Sequence, residues 1–344
     1  MLNPYIALVF ADDACASHWM NQRIFSRAGL DIAHFRALTL DNCYTELNKG
    51  SYTTAICFGQ RVLNSLFSRN DMLRWHNRVI DLPLKDKTIT CVTSIEPQHL
   101  LARRGDGTGH DVLRNPPRYT GAVILTLKRT VNGELPPPMP PDHAIYLCDP
   151  QPQQFNEWAD TFFEVASTLN PILFWDIETN YKMQEDDESE FDEEKRKNDD
   201  KIIRISFYAE GTTAVSVPYL PEYHGTISRL LAYTGDHGGW NFIAFDRPIV
   251  ERSGHVIGGR MLDFMDGWHL YQTDLDRGIE FVSSFFSRIH PWKHINNENP
   301  AKYSAIDSYV CGVNAQGILE KLAEVGLLAR FYKEMAIAEV LTAA

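Results

Sequence analysis

Four carboxylates and one phenol occur in this chain in an order and spacing that could bind divalent metal ions. The first two, Asp176 and Glu178, follow the apolar run Ile172-Leu173-Phe174-Trp175, which is typical of a buried strand. Residues two apart on a strand project from the same face, so both carboxylates can reach one ion. The pair therefore predicts a metal site near the end of a strand.

The remaining three groups lie farther along the chain. Residues 239–245 are apolar and strand-like, and Asp246 stands where this segment must turn into a helix, with Pro248 in the first helical turn. Tyr303 and Asp307 are four apart in a segment with helical periodicity, so they share one helical face. We expect the phenol to point at whatever the fourth carboxylate binds.

Such a set of hard oxygen ligands suits Mg²⁺ or Mn²⁺. Two such ions, about 3.5–4 Å apart, can flank a phosphate, one activating water and the other stabilising the leaving oxygen. Tyr303 could orient the water by hydrogen bonding, since an ordinary pKa near 10 disfavours a phenolate base. Without metal the carboxylates would repel one another and their pKa values would rise. We therefore expect metal to be part of the folded site.

Each motif by itself is weak. Asp186 with Glu188 and Asp192 with Glu194 have the same spacing as the first pair, inside an acidic run, residues 185–194, that we interpret as a solvated loop. A tyrosine on an apolar helix face is usually a core residue. Specificity comes from the order: a strand with Asp-x-Glu, then Asn-x-x-x-Phe-Asp, then a helical Tyr-x-x-x-Asp.

In that order the motifs resemble the three exonuclease motifs of the DEDDy proofreading nucleases of phage-like family A DNA polymerases. The related histidine-type nucleases would need a histidine five residues before Asp307, where this chain has Lys302. The resemblance implies an RNase H-like α/β domain with a mixed sheet over residues 143–330. It also implies two Mg²⁺ or Mn²⁺ ions held by Asp176, Glu178, Asp246 and Asp307.

The same resemblance implies a substrate and two substrate contacts. The substrate would be a single-stranded or frayed DNA 3′ end, cleaved with the help of Tyr303. Asn241 and Phe245 would contact the terminal nucleotides, and packing in the core is the alternative for Phe245.

Composition limits the class of protein. A length of 344 residues suggests two domains, and 44% hydrophobic residues suffice for sizeable cores. No apolar run approaches the ~20 residues of a membrane span, and residues 1–16 lack the basic start of a signal peptide. The six scattered cysteines, without a Cys-x-x-Cys pair, predict buried free thiols in a reducing compartment. We expect a cytoplasmic protein of a bacterial or phage-infected cell, not bound to a membrane.

The net charge of −12 argues against broad, non-specific duplex binding, which depends on Lys and Arg neutralising phosphates. It is compatible with a narrow site for a few nucleotides of single strand, held by metals and aromatic stacking.

Residues 136–142 contain five prolines and predict a stiff linker between two domains. After it, residues 144–148 read as an edge strand. Residues 202–208 and 213–217 predict a hairpin around Glu210-Gly211. Residues 266–271, 281–285 and 291–294 resemble the helices that link the second and third exonuclease motifs.

Residues 1–135 predict a smaller parallel α/β domain, with strand candidates at 6–10, 54–58, 89–92 and 122–127. The layout resembles the uracil-DNA glycosylase superfamily in a strand and loop at Val9 to Ala14, Arg-Ala-Gly-Leu at 27–30, Phe58-Gly59-Gln60, and Glu96-Pro97 before Leu100-Leu101. Glu96 stands where that family has its catalytic histidine, and it cannot donate a proton at neutral pH as histidine can. We expect a non-catalytic, DNA-binding or scaffolding role, with Asp12 and Asp13 as loop or cap residues.

Three functions remain open: a proofreading 3′–5′ exonuclease of a replicative polymerase, a freestanding nuclease trimming DNA or RNA ends, and a non-enzymatic DNA-binding module with a vestigial site. Residues 331–344 predict an amphipathic helix resembling the segment that leads into the polymerase domain of family A enzymes. The partner would be that domain, in cis or as a separate subunit. The alternative is a helix that packs back on its own domain.

Overall fold

A computed structural model of the chain describes residues 5–101, 116–140, 145–180 and 201–342. The acidic run, the basic residues 195–197 after it and the end of the proline-rich linker lie outside the described residues. The chain forms two compact units. The first comprises Met1–Met139, Asp274–Asp276 and Glu280–Pro291, and the second comprises Pro140–Thr273, Arg277–Ile279 and Trp292–Ala344.

The first unit is built on a five-stranded sheet of order β2-β1-β3-β5-β4. Strands β1, β2, β3 and β5 are parallel as predicted, but β4 pairs antiparallel with β5, so the prediction of an all-parallel sheet is wrong and the sheet is mixed. The predicted strands at 6–10, 54–58 and 89–92 are confirmed, and β2 and β4 were not predicted. The strands are β1 Ile6–Phe10, β2 Arg36–Thr39, β3 Thr54–Phe58, β4 Val79–Pro83 and β5 Thr88–Ser94.

Short helices and a 3₁₀ turn at Ile32–His34 connect these strands, and a 3₁₀ turn at Pro97–Leu101 and one longer helix follow the last strand. The core lies around β1 and β3, whose Phe10 and Phe58 rings stack with centroids 4.8 Å apart. The helices are α1 Asp13–Ala16, α2 Trp19–Arg27, α3 Cys43–Lys49, α4 Gln60–Phe67, α5 Met72–Trp75 and α6 Pro116–Asn132.

The prediction of a strand at 122–127 is wrong, because this segment lies inside α6. Its buried residues are spaced as on one face of a helix, with a period near 3.6 rather than 2. They are Ala122, Val123, Thr126, Leu127, Arg129 and Thr130.

The second unit contains a six-stranded mixed sheet of order β11-β10-β7-β8-β9-β6. Strands β7, β8 and β9 are antiparallel neighbours, whereas β10 and β11 run parallel to β7. From β9 to β11 the order is that of the RNase H-like fold, so the predicted mixed α/β fold class is confirmed. The strands are β6 Tyr146–Cys148, β7 Leu173–Thr179, β8 Ile202–Tyr208, β9 Ala214–Pro218, β10 His237–Gly239 and β11 Met261–Asp263.

One long helix, α12 (Pro300–Glu324), crosses this sheet and carries the third sequence motif. The Ser206 hydroxyl of β8 donates to the Ser304 carbonyl at 2.8 Å. Gly312 allows the close approach, because a Cβ there would lie 2.4 Å from the Tyr208 ring. The helices that follow α6 are α7 Pro152–Leu169, α8 Pro221–Leu231, α9 Asp246–Arg252, α10 Phe264–Tyr271, α11 Ile279–Phe286, α12 Pro300–Glu324 and α13 Leu328–Thr342.

The predicted hairpin is confirmed as β8 and β9, and Tyr146–Cys148 forms the predicted edge strand. The prediction of a strand over residues 239–245 is wrong, since β10 ends at Gly239 and Asn241 has a left-handed φ of 59°. The reason is competition for hydrogen bonds: the Asp263 carboxylate accepts the backbone N–H groups of Asn241 and Ile243. Asp246 does begin a helix, with Pro248 in its first turn.

Most of α11, predicted as a link between exonuclease motifs, belongs to the first unit. The buried Arg78 donates to the Ser283 hydroxyl at 3.0 Å, and the buried Asn77 donates to the Ser284 carbonyl at 3.1 Å. Arg74 forms an ion pair with Glu280 at 2.8 Å. These buried donors require acceptors, and the α11 segment supplies them.

The cysteines are reduced, and part of the apolar surface of the last helix is exposed. All six cysteines are free and five are buried, but the expected burial is wrong for Cys148, which is exposed on the edge strand β6. Within the described ranges, no helix has the length and apolar character needed to cross a bilayer. Helix α13 buries Phe331 and Met335, while Ile337, Val340 and Leu341 near its end are exposed.

Candidate active site

The structure brings together three of the four predicted metal ligands. One carboxylate oxygen from each of Asp176, Glu178 and Asp307 lies within 4.8 Å of the others. Asp176 and Glu178 project from the same face of β7, and α12 carries Asp307 across the sheet to them. Hard oxygen donors gathered in this way, with Asp307 buried, fit Mg²⁺ or Mn²⁺.

Asp246, the other predicted ligand, begins α9 and is 3% exposed. Its Oδ1 accepts the Ile177 backbone N–H at 3.0 Å. Because Ile177 lies between Asp176 and Glu178 on β7, this hydrogen bond holds the Asp246 carboxylate close to both. Its second oxygen, Oδ2, is the atom that Asp246 could offer to a cation.

Burial and mutual charge repulsion raise the pKa values of Asp176, Glu178 and Asp246. Burial, followed by the charges of Asp246 and Asp307, raises the pKa of Asp176 well above its usual range. Burial and the charges of Asp307 and Asp246 raise the pKa of Glu178 to about 8, and burial raises that of Asp246 to about 8. The Lys293 ammonium offsets part of this for Asp176 and Glu178. A divalent cation would relieve the remainder.

The metal-free protein is expected to lose stability as the pH rises from about 4 to about 8. Unfolded carboxyl groups have pKa values near 4, whereas Glu178 and Asp246 reach about 8 in the folded state. Between those values the folded state holds protons that the unfolded state has released, so the free energy of unfolding falls with rising pH. Urea unfolding midpoints in EDTA at several pH values measure this.

Two comparisons make that measurement specific to the site. Saturating Mn²⁺ should flatten the decline, because the cation replaces the protons. The Asp246→Asn variant should also show a shallower decline in EDTA, since one of the raised groups is removed. A wild-type urea midpoint that stays level or rises between about pH 4 and about pH 8 would contradict the raised pKa values of Glu178 and Asp246.

Tyr303 lies one helical turn before Asp307 and is half-buried. Burial raises its pKa above the usual range, with added effects from the charges of Asp307, Glu178 and Asp176 and from a hydrogen bond with Asp307. The phenol therefore stays protonated at working pH. In the metal-free protein its hydroxyl can donate or accept a hydrogen bond.

The two predicted substrate contacts precede Asp246 on the loop between β10 and α9. Asn241 is exposed, and Phe245 is 43% exposed, so Phe245 is not a core residue. Asp263 organises this loop through the two N–H groups of Asn241 and Ile243, and it also caps α10 by accepting from Met265 at 3.1 Å. Burial raises the pKa of Asp263 to about 7.

Sequence reasoning missed Asp263, Trp292 and Lys293. An aspartate directly before a helix was a signal for Asp263 as a cap. The Trp292 indole Nε1 donates to Asp307 Oδ1 at 2.8 Å, and both side chains are buried. No local pattern could indicate that contact, because residues 291–294 have no regular period.

In the first unit, Asp12 caps α1 by accepting the Cys15 N–H at 2.9 Å, and it forms an ion pair with Arg61 at 2.7 Å. Glu96 is buried, with Oε2 3.9 Å from His99 Nε2. Among the described residues its Oε1 has no hydrogen-bond partner. Asp12 thus has the cap role expected from the sequence.

Comparison with known proteins found no matching family model and no matching curated protein. Similar solved structures include a nuclease in its apo form, at 11% identity and a TM-score of 0.42, covering 58% of this chain and 90% of that one. Escherichia coli RNase D, an exoribonuclease, matches at 10% identity and a TM-score of 0.35, over 57% of this chain and 50% of its own. The EXD2 exonuclease domain matches at 12% identity and a TM-score of 0.27, over 55% and 93%. At these values neither activity nor substrate follows from the likeness.

Proposed function

We propose that this chain is a metal-dependent 3′–5′ exonuclease that removes nucleotides from single-stranded or frayed DNA ends. The observation that carries the proposal is the convergence of oxygens from Asp176, Glu178 and Asp307 within 4.8 Å, in surroundings that disfavour the charged forms of Asp176 and Glu178. Carboxylates held in this way are costly without a cation.

Asp176, Glu178 and Asp307, with Asp246 beside them, would hold Mg²⁺ or Mn²⁺. When bound, these ions supply Lewis-acid stabilisation of the phosphate and a deprotonated water at neutral pH. Tyr303, whose hydroxyl hydrogen bonds with Asp307, would orient the attacking water through that hydroxyl. Asn241 and Phe245 are exposed where they can hydrogen bond to and stack on terminal nucleotides.

Degradation of labelled single strands tests this proposal. A 5′-labelled linear DNA should give a ladder of shortened products in Mg²⁺ or Mn²⁺ and none in EDTA, while a 3′-labelled DNA should release labelled mononucleotide at once. A circular single strand is the control, since it has no end and should stay intact. Cleavage of the circle, or an intact linear strand, would overturn the assignment.

The rate of cleavage of an RNA strand of the same sequence, compared with that of DNA, tests the alternative to the leading proposal. That alternative is a freestanding nuclease that trims DNA or RNA ends. We favour DNA and the proofreading part of a replicative polymerase, because the ordered motifs, with Tyr303 and Asp307 four apart, resemble those of family A proofreading domains. Faster hydrolysis of RNA than of DNA would favour the alternative. A vestigial site would leave both strands intact.

For the first unit we propose a DNA-binding or scaffolding role without uracil excision. Glu96 is buried and stands where the resembled glycosylases have their histidine. Release of free uracil from uracil-containing DNA by the intact chain would contradict this.

A further inference from the structure

Trp292 lies on the segment that enters α12, and its ring is 2% exposed. Its Nε1 donates to Asp307 Oδ1 at 2.8 Å, between two buried side chains. A hydrogen bond from a neutral donor to a carboxylate is short and strong, and more so where water is excluded. It therefore fixes the rotamer of Asp307 as well as one of its oxygens.

Asp307 must reach β7 from a helix on the face of the sheet, whereas Asp176 and Glu178 are placed by the strand itself. An aspartate has a free χ2 torsion, so its two oxygens can exchange places unless one is held. With Oδ1 held by the indole, the plane of the Asp307 carboxylate and the direction of Oδ2 are fixed as well.

We propose that Trp292 is a positioning residue that holds Asp307 in the orientation that binds the divalent cation. The inference rests on the proposed function. Hydrogen-bonding partners of ligating carboxylates typically contribute 10–100-fold to metal affinity or activity.

A purely structural role for Trp292 predicts a different result. In that case the ring would matter and the N–H would not. Trp292→Phe keeps an aromatic ring and removes the donor. Incorporating 3-benzothienylalanine at position 292 is a closer replacement, because it keeps the fused bicycle and exchanges only the N–H for sulfur.

Trp158→Phe is the matched control. Trp158 lies in the same unit, is 7% exposed and donates its indole N–H to the Thr213 carbonyl at 2.8 Å, outside the carboxylate cluster. Its replacement removes an equivalent hydrogen bond without touching Asp307.

The measurement is Mn²⁺ binding to the metal-free full chain, followed by electron paramagnetic resonance, together with the urea unfolding midpoint. Removing the N–H at position 292 should weaken Mn²⁺ binding about 10–100-fold, and Trp158→Phe should leave it within about 2-fold. Cleavage at limiting Mn²⁺ should fall in parallel and recover at saturating Mn²⁺, with the KM for DNA unchanged.

The outcomes separate the two proposals. Unchanged Mn²⁺ affinity in the benzothienyl variant would overturn the positioning role, even if Trp292→Phe proved too unstable to assay. Absence of Mn²⁺ binding to the wild-type chain would instead count against the proposed function itself.

Discussion

Replacing Asp176 with alanine is expected to lower the rate of 3′-end cleavage by about 10³-fold or more. The carboxylate lies among Glu178 and Asp307, and its loss removes a ligand from the site that would stabilise the charged phosphate. Such stabilisation amounts to several kcal/mol, and each 1.4 kcal/mol corresponds to a factor of about ten in rate. Single-turnover cleavage of a labelled DNA strand in saturating Mn²⁺ measures the effect.

The same variant should fold at least as well as the wild type when no metal is present. Asp176 is a costly charge in the metal-free protein, because burial and its neighbours disfavour ionisation. Its removal should leave the urea midpoint in EDTA equal or higher, and Mn²⁺ should no longer raise that midpoint.

Asp160→Ala provides the control for these effects. Asp160 belongs to the same unit, but it is exposed and forms a surface ion pair with Arg229 at 2.6 Å. Such pairs contribute about 0–1 kcal/mol to stability, so cleavage should not change. Full activity of Asp176→Ala would show that the carboxylate cluster is not the site of cleavage.

Replacing Tyr303 with phenylalanine is expected to lower turnover by about 10²-fold, with little change in the KM for DNA. The substitution keeps the ring and removes only the hydroxyl that orients the attacking water. Burial, the first cause of the raised pKa of Tyr303, favours the protonated hydroxyl. The pH dependence of the rate should therefore have the same shape in both proteins.

Tyr309→Phe is the control, because Tyr309 is a half-buried tyrosine on the same helix. Its ring packs against Tyr146 and Tyr208 rather than the carboxylates. Loss of that hydroxyl should leave turnover unchanged. If Tyr303→Phe turns over as fast as the wild type, Tyr303 is a packing residue and the water is oriented by another group.

The mixed α/β fold and most elements around the site could be predicted from sequence, because their patterns are local. An apolar run before Asp176 and Glu178 marks β7, and alternation on either side of a turn marks the β8–β9 hairpin. One prediction failed because residue types that favour a strand occur in a segment whose burial has a helical period. Residues 122–127 have the β-branched and apolar character of a strand but lie in the middle of α6.

Tertiary contacts also decided where elements end and to which unit they belong. Strand β10 ends at Gly239 because the carboxylate of Asp263, on β11, accepts hydrogen bonds from the backbone N–H groups of Asn241 and Ile243. Helix α11 follows the second motif in sequence, yet buried Asn77 and Arg78 bind it within the first unit. Both outcomes depend on donors and acceptors that are distant in sequence.

In the site, too, some relations between residues follow from the local sequence and others only from tertiary packing. Asp176 and Glu178 share a face because strand side chains alternate with period two, and Tyr303 and Asp307 share one because a helix turns every 3.6 residues; these relations follow from backbone geometry and are present in the sequence. Whether Asp307 meets β7, and which of its oxygens is held by Trp292, depends on the placement of α12 across the sheet. That placement results from packing and buried hydrogen bonds summed over many residues, which no local period encodes.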